Sequence, residues 1–168
     1  ASCVAFATTY YQMTHMFGMA LGWDAKNDPE NKRKFSPKWT FNLTNTGENG
    51  VMGMDSTFAL FTKSGAALWN EFQYDGYDTS FKNISEWPTD VAVWRNALNY
   101  RIDNYGYVEI WDNTDTPVKT PKDPNLEKVK QLLNNGHVLT FATSISRWRF
   151  SKINDDPATE EDDDYVNE

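Results

Sequence analysis

Ala1-Ser2-Cys3-Val4-Ala5-Phe6-Ala7-Thr8-Thr9-Tyr10-Tyr11-Gln12-Met13-Thr14-His15-Met16-Phe17-Gly18-Met19-Ala20 opens the chain and decides how the rest is read. Apolar side chains (Val4, Ala5, Phe6, Ala7, Tyr10, Tyr11, Met13, Met16, Phe17) fall on nearly every face at helical spacing, which predicts a buried central helix rather than an amphipathic surface one. Cys3, the only cysteine, stands at its N-terminal end. Unpaired N–H groups and the positive end of the helix dipole favour a thiolate there, so Cys3 reads as a nucleophile on a helix tip.

Composition narrows the classes of function. The 168 residues suit one domain or a domain and part of a second, and 15% aromatic residues are ample for a packed core. Eight of the 24 acids (Asp155, Asp156, Glu160 to Asp164, Glu168) lie after Lys152 with no base among them, leaving 16 acids against 16 bases in the body. The net charge of −8 therefore belongs to the C-terminal stretch. A neutral body without a basic stripe argues against nucleic acid as a partner. No apolar run approaches the roughly 20 residues that span a bilayer, so no membrane partner is expected. One cysteine excludes an internal disulfide and multi-cysteine zinc sites. The carboxylates after Lys152 lack the spaced ligand-and-glycine pattern of a calcium loop, so no metal or cofactor is expected. Asn42-Leu43-Thr44 and Asn83-Ile84-Ser85 match the glycosylation acceptor pattern, which recurs by chance.

Beyond the first helix, Gly22 to Phe35 reads as a polar loop, and Ser36-Pro37 as an N-cap before a proline at the first helical position, with Trp39 and Leu43 an apolar pair behind it. Gly47, Gly50 and Gly53 mark a turn-rich loop; Asp55 or Ser56 caps a helix carrying Phe58, Leu60 and Phe61 that ends at Gly65. Glu86 to Asp90 opens a third short helix with Val91, Trp94 and Leu98 on one face. Tyr107 to Trp111 and Val138 to Ile145 read as strands, and between them Asn125 caps a helix with Leu126, Val129, Leu132 and Leu133 on one side and Gly136 at its end. The expectation is an α+β order: a helical domain over 1–100, the start of a β-rich domain over 101–153, and an acidic mobile tail over 154–168.

These segments resemble, in order, those of papain-like cysteine peptidases. Ala1 to Ala7 is similar to that family's active-site segment, with Val4 in place of its usual Trp. Phe35-Ser36-Pro37 is similar to its second helix, Gly50 to Gly53 with the helix to Gly65 and Asn70 to Gly76 to its glycine loop, third helix and proline-tyrosine turn, and Leu126 to Ile145 to its helix-glycine-strand unit. The resemblance implies a central buried helix bearing the cysteine, in a helical domain joined to the first part of a β-barrel-like domain. It implies a secreted, prokaryotic peptidase in which a Cys thiolate attacks the peptide carbonyl, a His carries the proton, an Asn orients the His, and a Gln and the Cys N–H hold the oxyanion.

Carried over by residue, Cys3 takes the nucleophile position, and Gly50 and Gly53 would present backbone to an extended peptide substrate. The oxyanion Gln is expected before Ala1. His137 falls 134 residues after Cys3, inside the roughly 130–150 window for this family, yet it follows Gly136 at a helix end and no Asn-Ser-Trp-Gly segment comes after it. His15, three turns from Cys3, is too far along the helix to act as its base. The His and Asn are therefore expected on a second chain, with this chain a processed heavy chain. The alternative is a non-catalytic binding or inhibitor module of the same fold.

Overall fold

The computed structural model describes residues 2–45, 53–108, 124–142, 149–152 and 164–167. Cys3–Ala5 and Thr14–Leu21 are α-helical and flank a π-helical run, Phe6–Met13; the three form one continuous rod, the first helix. It stops at Gly22, which turns left-handed at φ 67° and lets the Trp23 N–H reach the Gly18 carbonyl at 3.0 Å.

The π-helical run changes which side of this helix is buried. Its bonds skip one residue more than α-helical ones, so the inward strip runs Ala5, Thr8, Thr9, Met13, Thr14. Three of the five residues in the strip are threonine, and each hydroxyl is used. Thr8 donates to the Val4 carbonyl at 2.7 Å, Thr9 shares a 2.5 Å bond with Thr40, and Thr14 accepts from the Phe35 N–H at 3.1 Å. The expectation of a helix buried all round is corrected: Tyr11 is 63% exposed and Met19 76%, with Met16 and Leu21 also exposed.

Three helices gather around this strip. Pro37–Thr44 begins as expected, with Pro37 at the first helical position. Ser36, however, does not cap it with its side chain; its hydroxyl donates to the Phe72 carbonyl at 2.5 Å instead. Met54–Ser64 starts one residue before Asp55, with Gly53 as N-cap, and ends at Gly65. Val91–Ala97 is capped by the Asp90 carboxylate, which accepts from the Ala92 N–H at 2.8 Å, and runs on into a 3-10 turn, Leu98–Tyr100. Its inward residues are Val93 and Ala97, whereas Val91 and Leu98 are exposed. The Val91–Trp94–Leu98 face expected to pack is thus mostly solvent-facing, with Trp94 alone half-buried and held by its indole N–H on the Pro88 carbonyl at 2.9 Å.

The core joins Met13, Phe35, Trp39, Phe61, Ala66, Ala67, Phe72, Val93 and Ala97. Two short extended stretches thread through it, with the Ser36 N–H on the Ala67 carbonyl and the Trp69 N–H on the Lys34 carbonyl, both 2.9 Å. Trp39 is fully buried, and its indole N–H donates to the Gly65 carbonyl at 3.0 Å, so this large apolar side chain leaves no polar atom unpaired. A second, smaller cluster packs Ala5 against Phe41 beneath Cys3, with Val4 and Ile84 beside it. A helix not expected from the sequence, Phe81–Ser85, closes that side; the Ser80 hydroxyl caps it by accepting from the Asn83 N–H at 3.3 Å.

The α+β, papain-like expectation is corrected by this architecture. The described residues form a helical body, with no barrel-like portion among them. Tyr107 and Val108 are not in a strand, and 109–111 lie outside the described residues. Residues 138–142 are irregular and 143–145 also lie outside. The strands present pair in two-stranded, antiparallel fashion: Arg149–Lys152 (β1) with Asp164–Asn167 (β2), Phe150 facing Val166. Pro124–Asn134 is helical, as the leucine spacing predicts, but Asn125 lies inside its first turn rather than at the cap. Its end is a complete Schellman motif. Gly136 sits at φ 82° and donates to Leu133 at 3.0 Å, and the His137 N–H donates to Leu132 at 3.1 Å. No helix among the described residues is long and apolar enough to cross a membrane.

Candidate functional site

Cys3 is the first residue of the first helix and is exposed. Ser2 precedes it in helical conformation and makes no side-chain cap; its carbonyl accepts from the Phe6 N–H at 2.9 Å. The thiol is thus presented at an open helix end, where the first backbone N–H groups have no intrahelical partners. Behind it, Ala5 is fully buried against Phe41, and Thr9 is bonded to Thr40 one turn further in. The helix end that carries Cys3 is therefore held by packing and by a buried hydrogen bond.

Beside this end the first helix presents a wall of half-buried rings. Phe6 meets Tyr74 edge-on at 5.1 Å between centroids, Tyr10 meets Trp69 at 5.4 Å, and Trp69 meets Tyr74 at 6.0 Å. Gly76 permits this, since a Cβ there would come within 3.0 Å of the Tyr74 ring. Trp69 and the Tyr74 of the Asn70 to Gly76 turn thus face the first helix, which the local sequence does not signal. Their pairing is set by the 67–70 stretch crossing 31–36, a long-range arrangement.

Gly53 is exposed at the start of the Met54–Ser64 helix, and its carbonyl accepts from the Thr57 N–H and hydroxyl at 3.4 and 3.2 Å. A Cβ at Gly53 would meet only the Ser56 hydroxyl, at 3.6 Å, so its local geometry does not itself demand glycine. Gly50 lies outside the described residues. The Pro37–Thr44 helix touches both the Cys3 end of the first helix and the Met54–Ser64 helix.

Neither histidine bonds to Cys3. His15 is exposed, 12 residues along the helix and roughly 18 Å away by helix rise. His137 is exposed and its N–H is used in the Schellman motif. The chain after it returns to the first helix, where Gln12 donates to the Val138 carbonyl at 2.9 Å and accepts from the Thr140 hydroxyl. That contact is nine residues from Cys3, about 14 Å by helix rise. Among the described residues no group of three or more His, Cys, Asp or Glu side chains is placed to hold a metal ion.

The two glycosylation patterns are occupied structurally. Asn42 is 4% exposed, and its amide donates to the carbonyls of Asn83 at 2.7 Å and Glu86 at 2.9 Å. Asn83 donates in turn to the Asp78 carbonyl at 2.6 Å. These amides tie the Phe81–Ser85 helix to the Pro37–Thr44 helix.

Comparison with family models, with characterised proteins and with solved structures finds no match for this chain.

Proposed function

We propose that this chain bears the nucleophile of a cysteine peptidase working through a thiolate and an imidazolium, with peptides or proteins as substrates. The observation that carries the reading is the exposure of Cys3 at the open end of a helix whose inner face is anchored in the core. The thiolate sulfur attacks the scissile carbonyl carbon, and the negative charge moves to the carbonyl oxygen, to which the Cys3 N–H donates a hydrogen bond. The C–N bond then breaks as an imidazolium returns its proton to the leaving amine, leaving a thioester. Water, deprotonated by the same imidazole, adds to the thioester and releases the acid and the thiolate. The imidazole and its orienting Asn come from outside this chain, on a second polypeptide. The ring wall of Phe6, Tyr10, Trp69 and Tyr74 supplies an apolar surface beside the reacting sulfur. Secretion belongs to the same proposal and rests on the family resemblance.

The test is alkylation of Cys3 in the complete, partner-bound protein. Iodoacetamide is expected to modify Cys3 near neutral pH at least about tenfold faster than a free thiol of pKa about 8.5. Cys3→Ala is expected to abolish peptide hydrolysis. An alkylation rate equal to that of a free thiol, with no peptide hydrolysis by the parent protein, overturns the reading and leaves a non-catalytic binding module; hydrolysis retained in Cys3→Ala overturns it in favour of another catalytic group.

A further inference from the structure

The first helix, the turn after it and Lys34 enclose a concavity of about 380 Å³, lined in part by Tyr10, Tyr11, His15, Trp23, Lys26 and Lys34. It adjoins the ring wall, with which it shares Tyr10, and extends along the first helix to His15, 12 residues from Cys3. The volume is in the range of ligand-binding clefts. Its aromatic walls are fixed from behind. Tyr10 packs on Trp69 at 5.4 Å, and Trp23 packs on Phe35 at 5.6 Å and on Tyr100 at 5.7 Å. The backbone at Lys34 is held by the Trp69 N–H.

The charge of the cleft is positive. The ion pairs among the described residues join Lys32 to Glu30, Lys38 to Glu86 and Lys130 to Glu127, and none involves Lys26 or Lys34. The acid nearest in sequence, Asp24, is engaged by Asn27, whose N–H and side-chain amide donate to it at 3.1 and 2.6 Å. Those bonds hold the Asp24 carboxyl below the usual range. Two ammonium groups therefore border a preformed, aromatic-walled cleft, an arrangement that suits carboxylates at the rim and an apolar ring within.

We propose that this cleft binds an acidic peptide segment, with an aromatic side chain against Tyr10, Tyr11 and Trp23 and flanking carboxylates at Lys26 and Lys34. A nucleic acid fits less well, because the body carries 16 bases against 16 acids and no cationic track for a phosphate backbone. The site shares Tyr10 with the ring wall, but its binding does not depend on the chemistry of Cys3.

The probe is an end-blocked Glu-Glu-Phe-Glu-Glu peptide, titrated into the full chain by calorimetry beside its Gln-for-Glu counterpart. The acidic peptide is expected to bind about two- to thirtyfold more tightly, the range that two exposed rim ion pairs supply. Raising salt from about 50 to about 300 mM is expected to weaken it, since these charges are solvent-exposed. Lys26→Gln/Lys34→Gln is expected to remove the preference without lowering thermal stability, and Lys26→Glu/Lys34→Glu to reverse it. Equal binding of the two peptides, undiminished binding by the Gln variant, or equal affinity for an oligothymidylate of the same charge overturns the proposal.

Discussion

Gly65 lies so close to Ala97 that a methyl group on it would stand 1.9 Å from the Ala97 carbonyl oxygen. Three helices meet at this contact. Gly65 ends Met54–Ser64, its carbonyl accepts the Trp39 indole N–H from Pro37–Thr44, and Ala97 closes Val91–Ala97. Its φ of 69° with ψ −153° is open to glycine and strained for any other residue. Gly65→Ala is expected to cost about 3 kcal/mol or more, because the added methyl meets backbone that cannot swing aside. Urea unfolding checks it, the midpoint falling steeply while an Ala at exposed Gly22 costs less.

The hydroxyls of Thr9 and Thr40 form a fully buried pair at 2.5 Å that ties the first helix to Pro37–Thr44. Either single Val substitution leaves one hydroxyl without its partner and is expected to cost about 1–3 kcal/mol. The double substitution removes both polar groups and is expected to cost less than the sum of the singles. A double-mutant cycle by denaturant unfolding reads the difference.

Lys38 is 7% exposed; its ammonium sits 4.8 Å from the centre of the Phe72 ring and 2.6 Å from the Glu86 carboxylate. Glu86→Gln leaves that charge with a weaker partner and is expected to cost about 2 kcal/mol, below the 3–5 of a fully buried pair because Glu86 is half exposed. Glu30→Gln, which breaks an exposed pair with Lys32, is expected to change stability by less than about 0.5 kcal/mol. Thermal unfolding of the two variants gives the contrast.

Gln12 joins the first helix to residues 138 and 140 from both ends of its amide. Gln12→Ala is expected to release that segment without unfolding the core. Hydrogen exchange at 139–142 would rise while exchange in Pro37–Thr44 stays unchanged, and a parallel rise in both would show that the contact is part of the core.

Burial raises the Tyr100 phenol above its usual value, with the Glu71 carboxylate adding to the effect. The neutral phenol is thus favoured in the folded state, and the unfolded chain loses its proton first. Stability is unaffected below about pH 10 and falls as pH rises beyond the unfolded value. Tyr100→Phe removes this dependence, so its alkaline unfolding curve is expected to lie at higher pH than that of the parent protein.

Local chemistry made several elements legible from residues alone. Pro37 starts a helix because it needs no N–H there, Asp90 caps the next because its carboxylate reaches the Ala92 N–H, and Gly65 and Gly136 end helices because they accept positive φ. The position of Cys3 at a helix tip was legible for the same reason, since it depends only on the residues around it. The face of the first helix that is buried was not. A 3.6-residue repeat misjudges a helix whose middle is π-wound, and the winding becomes visible only where Thr9 meets Thr40 and Thr14 meets Phe35. Apolar stripes misled in the same way at Val91 and Leu98, because hydrophobicity says what prefers burial and not which side another helix will cover.

Strand propensity at 107–108 and 138–142 overstated the β content of these described residues, since a strand exists only when another strand pairs with it. Residues 138–142, as far as they are described, rest on Gln12 instead. The sequence by itself thus determined the proline start at Pro37, the glycine stops at Gly65 and Gly136 and the placement of the thiol, all of which are settled within a few residues. The tertiary structure decided the burial of each face, the ring wall beside Cys3 and the cationic cleft beyond it. Those depend on which distant segments meet, and burial is a property of pairs of surfaces rather than of single ones.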